Sequence, residues 1–326
     1  MGFRKALSRI PLFLTYTVLA TIVACLSFIQ TAYAHPTSLI TVENDSGTNL
    51  TSESIHQFLE AHENLFAGMI LPSDTKLTLG SASQDGQKRV SRFMRFKNEL
   101  FIVARPGFEK QDLYVLVHEY GHALFEKNLM HVSQLYKEIR PDLEKSESSA
   151  KDGREKLGSA FVRARKVFLL TSALHEFFAD VVAVTYFQDP QAAKKTELFD
   201  DIASVPYSWE HLQQRDFNLA SSPERTAAWE QALGLAIWSG NPYHILLPAR
   251  WEFWLLFQSQ ILSADIQVRA KVISQTFAAL ERVLSQILLW DELQMGRPQF
   301  EVEQSKILNQ LVLDELKKSF SFNALK

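Results

Sequence analysis

The chain has 326 residues, with 34 Lys and Arg against 37 Asp and Glu for a net charge of −3. A hydrophobic share of 46% is enough for a large core, and the absence of any Lys/Arg cluster argues against a nucleic-acid partner. One cysteine, Cys25, rules out a disulfide framework and leaves histidines and carboxylates as the strong metal ligands.

Residues 1–34 read as a targeting segment. Arg4, Lys5 and Arg9 precede an uncharged apolar run from Ile10 to Ile29, and Ala32-Tyr33-Ala34 forms a small-x-small cleavage site. Cleavage after Ala34 takes the net charge from −3 to −6 and sends the protein to the periplasm or out of the cell. The alternatives are an uncleaved membrane anchor, since the run approaches the ~20 residues of a span, or lipidation at Cys25 after Ile22-Val23-Ala24. Residues 35–50 are polar and turn-rich and read as a loosely held lead-in. Thr51 or Ser52 caps a helix carrying Ile55, Phe58, Leu59, His62, Leu65 and Phe66. Thr75–Leu79 and Arg89–Phe96 alternate as strands, and Glu99–Ala104 is a further strand after a tight turn at Lys97-Asn98. These predict a small antiparallel sheet, whose edge could pair with an extended peptide or be a plain structural hairpin.

A helix beginning near Asp112 carries His118-Glu119-Tyr120-Gly121-His122. Residues four apart lie one turn above each other, so His118 and His122 can direct imidazole nitrogens at one ion. Glu119 lies about 100° round the helix, beside that ion and able to take a proton from water. A catalytic zinc needs a third protein ligand. Lys145–Gly158, charged and serine-rich, reads as an exposed loop. It is followed by an apolar helix over roughly Ser159–Phe187. Glu176 and Asp180 share one face of that helix, where carboxylates are costly unless paired or metal-bound. Glu176 as third ligand, with Asp180 hydrogen-bonded to a ligating histidine, satisfies both. The competing reading pairs them with Arg163 or Arg165. His175 points away from Glu176's face and reads as a satisfied or supporting histidine.

HExxH followed at a distance by Glu176-Phe177-Phe178-Ala179-Asp180 resembles the gluzincin zinc metallopeptidases. The Glu-x-x-Ala-Asp form and the long gap are most similar to the CAAX-prenyl and heat-shock-type peptidases. The Glu-Phe-Phe-Ala stretch is also similar to the anthrax lethal-factor branch. The resemblance covers about Thr75–Phe187. It implies zinc ligands His118, His122 and Glu176, general base Glu119, supporting Asp180, and a zincin-like fold. The resemblance does not extend to the membrane-spanning helices of the CAAX and heat-shock-type members.

Downstream, Ser204–Asn218 is turn-rich and aromatic, and Pro223–Ser239 is helical with Trp229 and Trp238. Asn241-Pro242-Tyr243-His244 is a turn between apolar helices. Tyr243 and His244, with Arg250 behind them, are the candidates for hydrogen-bonding an oxyanion, and Tyr207 is an alternative. Arg250–Leu262, Ile266–Leu289 and Ser305–Leu316 read as packing helices.

The expected fold is α+β and predominantly helical. A targeting segment (1–34) precedes a catalytic core with both ligand-bearing helices (35–190) and a helical subdomain (191–326). The expected function is an exported zinc endopeptidase acting on peptides or proteins, with membrane contact only through a retained N-terminal anchor. The alternatives are a catalytically silent zinc-containing peptide-binding or chaperone-like module, and a helical protein without metal.

Overall fold

The structure is a computed structural model that describes residues 40–44, 52–81, 83–84, 87–88, 91–103, 109–151, 159–192, 217, 222–234, 242–290 and 302–321. The targeting segment with Cys25 and Ala34, Tyr207 and Trp238 lie outside the described residues. The strands are β1 (Ile40–Asn44), β2 (Lys76–Gly80), β3 (Ser83–Gln84), β4 (Gln87–Lys88), β5 (Arg92–Met94) and β6 (Glu99–Val103). The helices are α1 (Ser52–Ala61), α2 (Glu109–Val132), α3 (Gln134–Lys151), α4 (Ser159–Phe187), α5 (Pro223–Gly234), α6 (Pro242–Ile245), α7 (Leu247–Ile261), α8 (Ile266–Leu288) and α9 (Val302–Ser321). The protein is α+β and predominantly helical, as its sequence pattern predicts.

The sheet departs from the expected antiparallel form. Its order is β1-β2-β6-β5, with β1/β2 and β2/β6 parallel and only β5/β6 antiparallel. Residues 40–44, expected within a loose lead-in, form the outer strand β1. Parallel pairing needs a long crossover, supplied between β1 and β2 by the segment holding α1 and a 3-10 turn at Glu63–Phe66. Short turns are visible locally in a sequence, whereas these long connections are not. The predicted hairpin turn is present: the Lys97 amide bonds to Met94, and Asn98 takes the left-handed conformation (φ 52°). Its side chain bonds Thr75 at 2.8 Å and the Asp74 carbonyl at 3.1 Å.

The central strand β6 is buried from Leu100 to Val103, and α2 packs against it. Helices α2 and α4 are buried on nearly all sides through their middle turns, which is why neither presents an extended polar face. By length and composition alone α4 could cross a membrane, yet 83% of its most apolar window is packed inside the protein. Asn128 stitches α2 to the loop before β2 by exchanging bonds of 2.9 Å with both backbone groups of Ile70. Helix α3 runs to Lys151, so the first half of the expected 145–158 loop is helical and residues 152–158 are outside the described set. The first helix also ends sooner than expected, at Ala61, with Leu65 and Phe66 buried from the 3-10 turn instead. One hydrophobic cluster runs from Ile55 through the α2/α4 pair to Leu316, so both expected parts of the chain share a core.

Candidate metal centre

Gly121 sets the distance between the two helices that carry the site. A Cβ built on it would lie 2.8 Å from the Cα of Ala179 and 3.2 Å from the Cβ of Val182. Only hydrogen fits between the HEYGH turn and α4. Ala179 lies three residues after Glu176, so this close approach brings the Glu176 carboxylate up to the histidine pair.

The three expected ligands converge. Nε2 of His118 and Nε2 of His122 are 3.1 Å apart, and Oε2 of Glu176 is 3.4 Å from each. A tetrahedral ion with ligand distances of ~2.0–2.1 Å has ligand–ligand edges of about 3.3–3.4 Å, so two edges of the triangle match a metal ion of that size and the third is slightly shorter. The donor set agrees. Oε2 of Glu176 is buried with no hydrogen-bond donor among the described residues, and two imidazole nitrogens this close repel unless a proton or cation lies between them. Although burial alone would raise the pKa of Glu176, the two histidines hold it well below the usual carboxylate range.

Asp180, expected to support a ligating histidine, lies beside His118 and pairs with an arginine that the sequence reading placed elsewhere. Its Oδ1 lies 3.1 Å from Nδ1 of His118, placing a carboxylate on the far side of that ring from the ligand nitrogen. Its Oδ2 accepts a 2.8 Å bond from Nε of Arg250 on α7. Neither Arg163 nor Arg165 takes this place. Arg250 and Asp180 are both fully buried, and Arg250 also bonds the Tyr243 carbonyl at 3.2 Å. An arginine inside an apolar helix needs a buried counter-charge. That signal was present in the sequence at Arg250, beside Trp251, Phe253 and Trp254.

Glu119 is buried and reaches the wall of an open cleft of about 400 Å³, which His122, Glu176 and Tyr243 also line. Burial raises its pKa, opposed by the nearby imidazoles of His122 and His118, while the charge of Glu176 adds to the rise. The backbone of Phe93 on β5 faces this carboxylate and slightly opposes the rise. No family model, curated protein or solved structure matches this chain. The arrangement therefore speaks through its own geometry.

Of the two oxyanion candidates, Tyr243 lines the cleft. His244 is not among the lining residues; it is buried and its carbonyl accepts a 2.7 Å bond from Trp229 Nε1. His175, read from the sequence as a satisfied or supporting histidine, is buried, and its Nε2 makes no hydrogen bond among the described residues. Its Nε2 lies 3.4 Å from Oε2 of Glu126, and its ring meets Phe125 edge-on. Burial pushes its pKa down to about 4. Glu126, not anticipated from the sequence, also takes bonds from Tyr136 (2.5 Å) and Arg140 (2.8 Å). Burial alone would raise its pKa, but these donors together bring it down to about 2.

Proposed function

We propose that this chain is an exported zinc-dependent endopeptidase of the gluzincin type, cutting peptides or proteins by attack of water on a backbone carbonyl. The observation that carries the reading is the His118, His122 and Glu176 triangle, with ligand-atom edges of 3.1, 3.4 and 3.4 Å, beside a buried Glu119 in an open cleft. Those three residues would hold the zinc, which when bound supplies Lewis-acid polarisation and a lowered pKa for water. Export rests on the targeting pattern of residues 1–34.

The remaining work belongs to the protein's own side chains. Glu119, made more basic by burial, takes the proton from the attacking water and returns it to the leaving amine. Asp180, held by Arg250, keeps the His118 ring turned so that Nε2 faces the site. Among the described strands β5 pairs with β6 alone, and its residues line the cleft, so an extended peptide can add along that edge with its backbone beside Glu119. Tyr243 offers a hydroxyl to the oxygen that gains charge.

The test is a pair of variants. Glu119→Gln is expected to keep stoichiometric zinc and lose peptide hydrolysis by about 10²–10⁴-fold. His118→Ala is expected to lose the zinc. Full hydrolysis by Glu119→Gln removes this mechanism, and a zinc-loaded native protein that binds peptides without cutting any favours a peptide-holding module instead.

A further inference from the structure

Arg95 stands apart among the buried or half-buried cations near the site. It sits in the β5–β6 turn, half-buried, on the wall of the cleft that Glu119, His122 and Glu176 also line. Its guanidinium is held between two rings, with centroids at 5.0 Å (Phe96) and 4.8 Å (Phe168). Among the described residues its hydrogen bonds go to hydroxyls, Nη1 to Thr171 at 3.5 Å and Nη2 to Ser172 at 3.1 Å. By contrast, Arg140 and Arg250 each have a carboxylate, Glu126 and Asp180, at 2.8 Å. Among the described residues no carboxylate pairs with Arg95.

A guanidinium has five N–H donors in a planar fork suited to bidentate carboxylate binding. Among the described residues two are used, both on neutral hydroxyls. The charge is partly withdrawn from water and faces two aromatic rings, and among the described residues its hydrogen bonds reach no carboxylate, Glu144 being the acidic side chain that lines the same cleft. We propose that Arg95 is a specificity-determining residue that recognises a carboxylate on the bound peptide. This rests on the peptidase reading above and supplies its substrate class.

The placement sets the subsite. Ser172 is one helical turn before Glu176 on α4, so the guanidinium lies about 5–6 Å along the helix axis from the ligand position. An extended peptide advances about 3.3 Å per residue. The recognised carboxylate therefore belongs to a residue within two positions of the cleaved bond. It comes from an Asp or Glu side chain, in keeping with internal cleavage, or from the peptide's C-terminus, in which case the enzyme trims chain ends instead of cutting internally. Of the cleft's other basic residues, Arg92 and Lys97 are exposed to solvent, where a single charge contact is worth little.

The experiment reads binding and cleavage separately. Zinc-loaded Glu119→Gln protein is titrated by fluorescence anisotropy with C-amidated hexapeptide libraries that fix Glu or Gln at each position in turn. A library with free C-termini is compared with its amide. One acidic library is expected to bind about tenfold or more tightly than its neutral counterpart. Which one it is tells side-chain from terminal carboxylate. Adding Arg95→Ala is expected to abolish the preference with zinc content unchanged, Arg95→Lys to retain part of it, and Arg95→Glu to favour libraries fixed with Lys. Ser172→Ala, which removes a turn contact but not the charge, is expected to keep the preference. Equal binding of acidic and neutral libraries, no binding of any, or an undiminished preference in Arg95→Ala overturns the assignment. Acid-dependent binding without any cleavage by the native protein upholds Arg95 and overturns the peptidase reading alone.

Discussion

Gly121→Ala tests the idea that a glycine-to-backbone contact holds the two halves of the metal centre together. The added methyl would lie 2.8 Å from the Cα of Ala179 and 3.3 Å from its Cβ. The nearest obstacle is backbone, so no rotamer change relieves it. Restoring ordinary carbon–carbon contact near 3.5 Å separates α2 from α4 locally by about 0.7 Å. Overpacking of this kind costs about 1–3 kcal/mol, offset by up to ~1 kcal/mol from the better helix propensity of alanine. A net loss of about 1–2 kcal/mol is expected in urea denaturation of the metal-free protein.

The same displacement carries Glu176 away from His118 and His122. Metal–ligand distances tolerate only ~0.2 Å, so zinc affinity measured by chelator competition is expected to fall by about tenfold or more. Ala179→Gly is not expected to rescue it, because the 2.8 Å contact is to Cα and survives loss of the methyl. A Gly121→Ala protein with native stability and native zinc affinity would refute the reasoning.

Two further predictions come from the buried polar groups. Arg250→Met leaves the Asp180 carboxylate buried without its cation, with an expected cost of about 3–5 kcal/mol in chemical denaturation and weaker zinc binding through His118; an unchanged midpoint contradicts the pairing. The depressed pKa of Glu126, about 2, predicts acid sensitivity. Its stabilising contribution is complete above the unfolded value near 4.5 and is lost as pH falls towards 2, by up to about 3 kcal/mol. Comparing the native protein with Glu126→Gln across that window should show the native advantage vanish at the acid end.

The sequence by itself placed the main helices and brought out the residues of the candidate site. HEYGH places two imidazoles on one helical face because the repeat of 3.6 residues is a local property, and the same repeat aligns Glu176 with Asp180. The cost of carboxylates in an apolar helix marked that pair for a metal and a supporting role, and the structure brings Glu176 and Asp180 to His118. The hairpin turn at Lys97-Asn98 was legible for the same local reason.

Tertiary structure decided what depends on partners distant in the chain. It chose Arg250, 70 residues on, to neutralise Asp180, and aligned β1 and β6 parallel to β2. It set Gly121 against Ala179, and it gave Arg95 hydroxyls where its neighbouring arginines have carboxylates. Periodicity shows which face of an element is buried or charged. Which face of which other element it meets is settled by the packing of the whole core.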